Sequence, residues 1–406
     1  MTGPAARSLE YWAQARPDAI AAHEGGLSLT WRDWNEHADL LADAFVGRGL
    51  GYGDVIAVRC RNRLEWLVIA SAAAKIDAAI LALDPDMPVS LVRSALIAGE
   101  AAAFICDDER PAEVAPAVAG LSLRLCASLD TAAPGFFDFW ELFGPAARPR
   151  FASAMPALIG LTAGVAGLPA GVALRSRRAA PATLTRAPVA DDGAQLITLS
   201  LHRTWAHGQL WSALSLGRRI VLMRRFEAAQ VLDTLASQSI THWHATPAAF
   251  ASLATLPAST MNLSGLVELV IGGAPATTEL KAWIVATFGP ILTEIYGSTE
   301  TGPITIMPAE AHGQRPGSCG RPDSGVRVEI RDADGRRLPP NAVGQVWART
   351  QRSLECDLLP APVARRLRDD DGFIATSDAG RVDEDGFLFI LGRADGVRLN
   401  QARRLT

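Results

Sequence analysis

Three apolar runs constrain this chain more than any other feature: residues 54–60 (Asp-Val-Ile-Ala-Val-Arg-Cys), 78–83 (Ala-Ala-Ile-Leu-Ala-Leu) and 102–106 (Ala-Ala-Phe-Ile-Cys). Each is too short for a buried helix and has the length of a strand hidden on both faces. Between them lie single helical patterns at 64–73 and 90–97, and another at 36–46 stops against Gly47 and Gly49. Strands joined by one helix must run parallel, so the first part of the chain reads as βαβ units. Residues 132–150, rich in Pro, Gly and aromatics, read as a connecting loop.

A second α/β block follows. Residues 196–199, 219–223, 240–244 and 267–271 read as strands, and 228–237 and 278–288 as helices. Pro247 suits the first turn of a helix. From Arg315 onward glycines punctuate short alternating segments such as 326–330 and 345–348, the pattern of a small antiparallel sheet. The fold class expected is α/β, with two βαβ-type layered subdomains and a small antiparallel β subdomain. The subdomains are placed at about 1–150, 151–310 and 311–395 within one large domain, 1–395.

Composition excludes several classes of function. Half the residues are hydrophobic (49%), enough for a large core, and a net charge of −4 gives no electrostatic footprint for nucleic acid. Only Lys75 and Lys281 among the 39 basic residues are lysines, so a catalytic lysine has few candidates. Five dispersed cysteines without C-x-x-C spacing argue against a disulfide framework or a structural zinc site. His242 and His244 alternate within an apolar run and read as strand packing rather than metal ligation. No signal-peptide core and no uncharged run of ~20 apolar residues occur, so a cytoplasmic protein without a membrane span is expected.

The most informative local segment is Tyr296-Gly297-Ser298-Thr299-Glu300-Thr301-Gly302, after an apolar strand at 290–295. A ring to stack on a base, hydroxyls for phosphate and a carboxylate for a hard cation arrive together at a strand end. The same residues also suit an ordinary strand-to-loop turn with a buried Tyr.

Four segments in order decide between these readings: a Gly-rich run at 161–171, Gly272-Gly273-Ala274-Pro275, the heptad at 296–302, and Thr376-Ser377-Asp378 followed by Gly392-Arg393-Ala394-Asp395. Together they resemble the large N-terminal domain of the adenylate-forming enzymes, which include acyl-CoA synthetases, aryl-CoA ligases, luciferase and peptide-synthetase adenylation domains. The resemblance spans the chain to Asp395. It implies ATP/AMP and magnesium (Mg2+) as cofactors and a small-molecule carboxylic acid as substrate, activated as acyl-adenylate. Coenzyme A is implied by the resemblance only.

On matching residues the resemblance implies that Tyr296 stacks on adenine, with Gly272, Gly273 and Ala274 on its other side. It gives Thr299 to the α-phosphate and Glu300 to magnesium, the two catalytic assignments. It gives Asp378 to both ribose hydroxyls and Arg393 to a further ribose contact. Asp378 also suits a turn former in a Ser-Asp-Ala-Gly sequence. Trp205, His207 and Gly302 are implied to border the acyl pocket. His207-Gly208 match the end of the family's Pro-Leu-Phe-His-x-His-Gly segment, while Trp205 replaces its first His. His207 also suits a helix-start histidine bonded to backbone. The absence of an acidic residue in 202–208 favours a plain carboxylic acid over an amino acid.

Two departures stand out. The family's phosphate loop is rich in hydroxyls and ends in Pro-Lys-Gly. Here Thr162, Gly164, Gly167, Pro169 and Gly171 keep the frame, but Ala163, Val165 and Ala166 replace hydroxyls and Ala170 replaces the lysine. Losing one preorganised donor typically costs about 10²–10³ in rate. Arg175 and Arg177 are the nearest substitutes. The family also continues past the hinge aspartate, here Asp395, into a small domain carrying a catalytic lysine. Residues 396–406 read as a hinge remnant, so the resemblance implies a truncated member without that domain. The expectation is an acyl-CoA synthetase-like protein that activates acid weakly, or only with a separate C-terminal domain or acyl-carrier partner. The alternative is an inactive binder of nucleotide or acyl-adenylate.

Overall fold

The computed structural model describes residues 8–107, 111–130, 134–145, 147–152, 155–162, 172–175, 193–256, 263, 265–298, 301–350 and 368–394. These fall into two compact units, one formed by the described residues up to Phe226 and the other by those from Glu227.

The first unit begins with α1 (Leu9–Ala15) and the antiparallel pair β1 (Ile20–Glu24) and β2 (Leu27–Thr30). Helix α2 (Trp31–Gly47) starts at a capping box, in which Thr30 and Asp33 exchange side-chain-to-backbone hydrogen bonds. Its Trp31, Trp34, Ala38, Leu41, Ala42 and Phe45 recur at helical spacing and are all buried. Then β3 (Val55–Arg59), α3 (Leu64–Lys75), β4 (Ala79–Ala82), α4 (Val89–Ala98), β5 (Ala101–Cys106), α5 (Pro111–Val118), β6 (Leu125–Ser128) and β7 (Phe137–Asp138) alternate as the apolar runs require. Strands β8 (Leu158–Thr162) and β9 (Val172–Arg175) complete a seven-stranded sheet ordered β7-β6-β5-β3-β4-β8-β9. All its pairs are parallel except β8 with β9. Helix α3 is buried along its whole length, which accounts for its near-continuous apolar sequence. The indole N–H of Trp34 ties α2 to it, donating to Ser71 Oγ at 3.0 Å.

The same unit contains β10 (Ala194–Ile197), α6 (Thr204–Ser215) and β11 (Arg219–Leu222), with β11 parallel to both β10 and β1. Asn62, just after β3, donates to the carbonyls of Leu199 and Met223 and accepts from the Leu201 N–H. One amide thus holds the loops at the ends of β10 and β11. The stretch at 132–150 contains β7 and a 3₁₀ turn at Phe139–Leu142. It is therefore not simply a loop, because Phe139 and Leu142 are buried apolar anchors.

In the second unit, α7 (Ala228–Ser237), β12 (His242–Ala245), α8 (Pro247–Ala254), β13 (Glu268–Gly272), α9 (Thr278–Phe288) and β14 (Leu292–Ser298) repeat the βαβ rhythm. Strands β12, β13 and β14 are parallel. Strands β15 (Gly302–Met307) and β16 (Arg321–Pro322) add antiparallel. A separate antiparallel sheet orders β17 (Arg327–Arg331), β18 (Gly344–Arg349), β19 (Ile374–Val382) and β20 (Leu388–Arg393) consecutively. Pro247 is at the first turn of α8, behind a Thr246 cap. His242 and His244 are both buried within β12, and no cluster of three metal-ligating side chains occurs among the described residues.

Both lysines are consumed structurally. Lys75 Nζ lies 2.9 Å from Glu10 and 3.0 Å from Asp39, and also donates to Asn35 and the Arg150 carbonyl. Lys281, on α9, pairs with Glu294 of β14 at 2.8 Å. Burial pushes the Glu294 carboxyl above its usual range against the pull of Lys281.

Candidate nucleotide site

Strand β13 ends at Gly272, and Gly273 turns the chain away at φ +78°, a conformation that favours glycine. Ala274 follows, exposed. Gly272 pairs in register with Ile295 on β14, so this turn lies beside the strand that delivers Tyr296.

Strand β14 continues beyond the apolar run and takes in Tyr296, Gly297 and Ser298. The first three residues of the heptad are thus strand, not turn, because β15 folds back and pairs with them, Tyr296 opposite Thr305 and Ser298 opposite Gly302. The approach is close: a Cβ on Gly297 would sit 2.3 Å from the Gly302 carbonyl oxygen. Ser298 and Thr301 tie the turn, with their hydroxyls 3.1 Å apart and the Thr301 hydroxyl donating to the Gly302 carbonyl. Thr350 Oγ1 donates to the Thr301 carbonyl. Gly302 takes φ +68°. Ser298 and Thr301 hydroxyls are therefore committed within the turn. Thr299 and Glu300 lie outside the described residues.

The Tyr296 ring packs against a small apolar cluster containing Cys319, Ile330, Val346 and Leu388. Its hydroxyl donates to Asp378 Oδ2 at 2.9 Å and approaches Thr376 Oγ1 at 3.4 Å. Burial, reinforced by the Asp378 charge, pushes the phenol well above its ordinary pKa, so it remains a donor. Asp378 is a strand residue on β19, correcting the turn-former reading, and it pairs across the sheet with Arg393 on β20. Arg393 Nη1 lies 3.4 Å from Asp378 Oδ1, and its side chain is 58% exposed. Thr376, two residues before Asp378 on the same strand face, donates to the Val346 carbonyl and accepts from the Asp378 N–H. The bonding role of Thr376 is visible in sequence only as its i, i+2 spacing from Asp378.

Tyr296, Asp378 and Arg393 are therefore brought together within one unit, with Gly272 at the end of the strand next to β14 and Gly273 and Ala274 in the turn that follows it. A carboxylate of this kind, with an exposed guanidinium beside it and a small-residue turn nearby, fits the ribose and base of a nucleotide.

Of the acid-side candidates, Trp205 and His207 lie on α6 in the first unit, whereas Gly302 opens β15 in the second. His207 is the fourth residue of α6, closing its first turn after the N-cap Arg203, whose carbonyl accepts from the His207 N–H. Its side chain bonds not to backbone but to Trp211, whose indole N–H donates to Nε2 at 2.8 Å. Its ring meets Trp66 edge-on at 5.3 Å. An accepting Nε2 places the proton of the neutral ring on Nδ1, which is buried with no hydrogen-bond partner among the described residues. Burial pushes the imidazole down to about 3, so the ring is neutral at ordinary pH. Trp205 is half-buried on the same helix. Thr162 ends β8, and nothing further is described of its side chain; Gly164 and Gly167 lie outside the described residues, as do Arg177 and Asp395.

Residues 9–355 match the family model described as AMP-binding enzyme. The chain belongs to that family. Relatives of this AMP-binding chain include the fatty acid–[acyl-carrier-protein] ligase ScoC of Streptomyces coeruleorubidus, 29% identical over 95% of this chain and 76% of the relative. The 4-coumarate–CoA ligase 3 of Oryza sativa subsp. japonica is 26% identical over 93% of this chain and 71% of the relative. Among solved structures, a protein described as a putative long-chain-fatty-acid CoA ligase from Rhodopseudomonas palustris shares the fold at a TM-score of 0.83 and 24% identity, over 95% of this chain and 98% of that one. The amide bond synthetase McbA from Marinactinospora thermotolerans shares it at a TM-score of 0.81 and 24% identity, over 93% and 76%. Family membership implies use of ATP or AMP, and the α/β architecture with its small antiparallel sheet is that of the adenylate-forming N-terminal domain. No described helix is long and apolar enough to cross a membrane.

Proposed function

We propose that this AMP-binding protein takes ATP and a small-molecule carboxylic acid and forms an acyl-adenylate, weakly or together with a separate C-terminal domain. The observation that supports it most is the Tyr296–Asp378–Arg393 arrangement beside the Gly272–Gly273 turn. In this reading Tyr296 packs on adenine, with Gly272, Gly273 and Ala274 across from it, and Asp378 accepts from the ribose hydroxyls with Arg393 adding a contact. Thr299 bonds the α-phosphate and Glu300 binds Mg2+, which would neutralise developing phosphate charge. Thr162, Gly164 and Gly167 frame the pyrophosphate. Trp205, His207 and Gly302 border the acid. The thiol acceptor is coenzyme A or an acyl-carrier protein, by analogy with the ligases the chain is similar to. The large domain is taken as 1–395, with 396–406 as hinge.

A second reading, a catalytically inactive binder of AMP or acyl-adenylate, draws support from charge. The 161–171 segment carries no lysine, and both lysines of the chain are held in buried ion pairs. One experiment separates the two. Acid-dependent ATP–pyrophosphate exchange is measured with fatty and aromatic acids, alongside AMP binding by calorimetry. Exchange above background supports activation. AMP binding without exchange, with and without added C-terminal domain, leaves the inactive binder. No nucleotide binding sinks both.

A further inference from the structure

The Asp378 carboxylate offers four lone-pair sites. Two are already engaged by protein: Oδ2 accepts from the Tyr296 hydroxyl at 2.9 Å, and Oδ1 faces Arg393 Nη1 at 3.4 Å. The engaged sites are on different oxygens, so each oxygen keeps one site. That is the number and division a vicinal diol needs, with one hydroxyl to each oxygen. The two fixed bonds differ in quality. Arg393 is 58% exposed and its contact is long, so it steers the carboxylate loosely. Tyr296 is held by the cluster of Cys319, Ile330, Val346 and Leu388, and its hydroxyl is the short, buried bond. Behind it, Thr376 Oγ1 donates to the Val346 carbonyl, accepts from the Asp378 N–H and receives the long edge of the phenol bond. The phenol cannot easily give up its proton, because burial and the adjacent carboxylate both raise its pKa, so the bond persists as donor to carboxylate.

We infer that the Tyr296 hydroxyl is a positioning group: it fixes the rotation of the Asp378 carboxylate and thereby sets the preference of the site for a nucleotide with an intact ribose diol. The inference rests on the nucleotide reading above and adds to it that ring and hydroxyl of Tyr296 act separately. The ring supplies apolar surface to the base, and the hydroxyl acts only through Asp378 on the sugar.

The test is calorimetric binding of AMP and of 2′,3′-dideoxy-AMP to the full chain and to Tyr296→Phe and Tyr296→Trp, with thermal melts to confirm folding. Both variants keep an aromatic ring and remove the hydroxyl, so a misfolded one leaves the other informative. Asp378→Asn serves as the reference for loss of diol recognition. The expected result is that wild type prefers AMP over the dideoxy compound. The variants weaken AMP by about tenfold, as for a hydrogen bond to a charged group, and leave dideoxy-AMP within about twofold. A merely structural role for the hydroxyl would weaken both ligands together. That outcome, or an unchanged AMP preference in the variants, overturns the inference while the nucleotide reading survives. Equal wild-type affinity for the two ligands removes Asp378 from the ribose, and the inference with it. Absence of AMP binding removes the nucleotide reading and the inference together.

Discussion

A buried histidine carries a pH signature that can be read in solution. His207 is neutral in the folded state, its pKa pushed down to about 3, whereas an unfolded-chain imidazole binds a proton below about 6.5. Between these values the unfolded state holds more protons, so stability rises with pH and is lost as pH falls from about 6.5 toward 3. Replacing His207 with Gln should flatten denaturant-midpoint curves in this window by up to one proton, about 1.4 kcal/mol per pH unit. His312, also pushed down by burial to about 4, contributes the same sign in both proteins and cancels in the comparison. At this scale the sequence named the chemistry but not the partners. Tyr296, Asp378 and Arg393 were legible as residue types in motifs. That the phenol bonds the carboxylate was not, because the two residues are 82 positions apart and nothing local fixes their contact. His207 was legible as a helix-start residue, and its partner Trp211 follows from i, i+4 spacing once the helix is granted.

Strand pairing decides which glycines of the elements are free to change. Ala at Gly297 would drive its Cβ into the Gly302 carbonyl of the paired strand, so β14 and β15 must separate. Gly208, within α6, has no atom within 4 Å of a Cβ position and gains helix propensity instead. Gly297→Ala should lower stability by about 1–3 kcal/mol, whereas Gly208→Ala should raise it by roughly 0.5–1 kcal/mol, both read from denaturant midpoints. The elements themselves were largely legible. Helices at 228–237 and 278–288 appear with the bounds their periodicity gives. The parallel strands follow from apolar runs hidden on both faces, as at Val55–Arg59. Two of the misreadings share one cause, that pairing overrides local turn chemistry. Gly-Ser-Thr at 297–299 and Ser-Asp-Ala-Gly at 377–380 suggest turns, yet Ser298 pairs across a hairpin and Asp378 with a strand residue 15 positions away. Strands β1 and β2 were missed because Leu27 to Thr30 is short and half exposed.

For the whole molecule, the family and the layered α/β plan were readable from ordered motifs, while the way charge is distributed through the interior was not. With 39 basic residues and only two lysines, the chain presents its surface positive charge almost wholly as guanidinium. The two ammonium groups are sealed, with side-chain exposures of 0% for Lys75 and 8% for Lys281. Guanidinium stays protonated and is a poor nucleophile at neutral pH, whereas a free lysine amine attacks activated acyl groups. An amine-directed acylating reagent should therefore leave both lysine peptides unmodified in the folded protein and label them on denaturation, as read by peptide mass spectrometry. Labelling of either in the native protein would contradict the burial described. For a protein whose proposed product is a mixed anhydride, the same burial means that an acyl group released from the site finds no exposed lysine among these 406 residues to acylate.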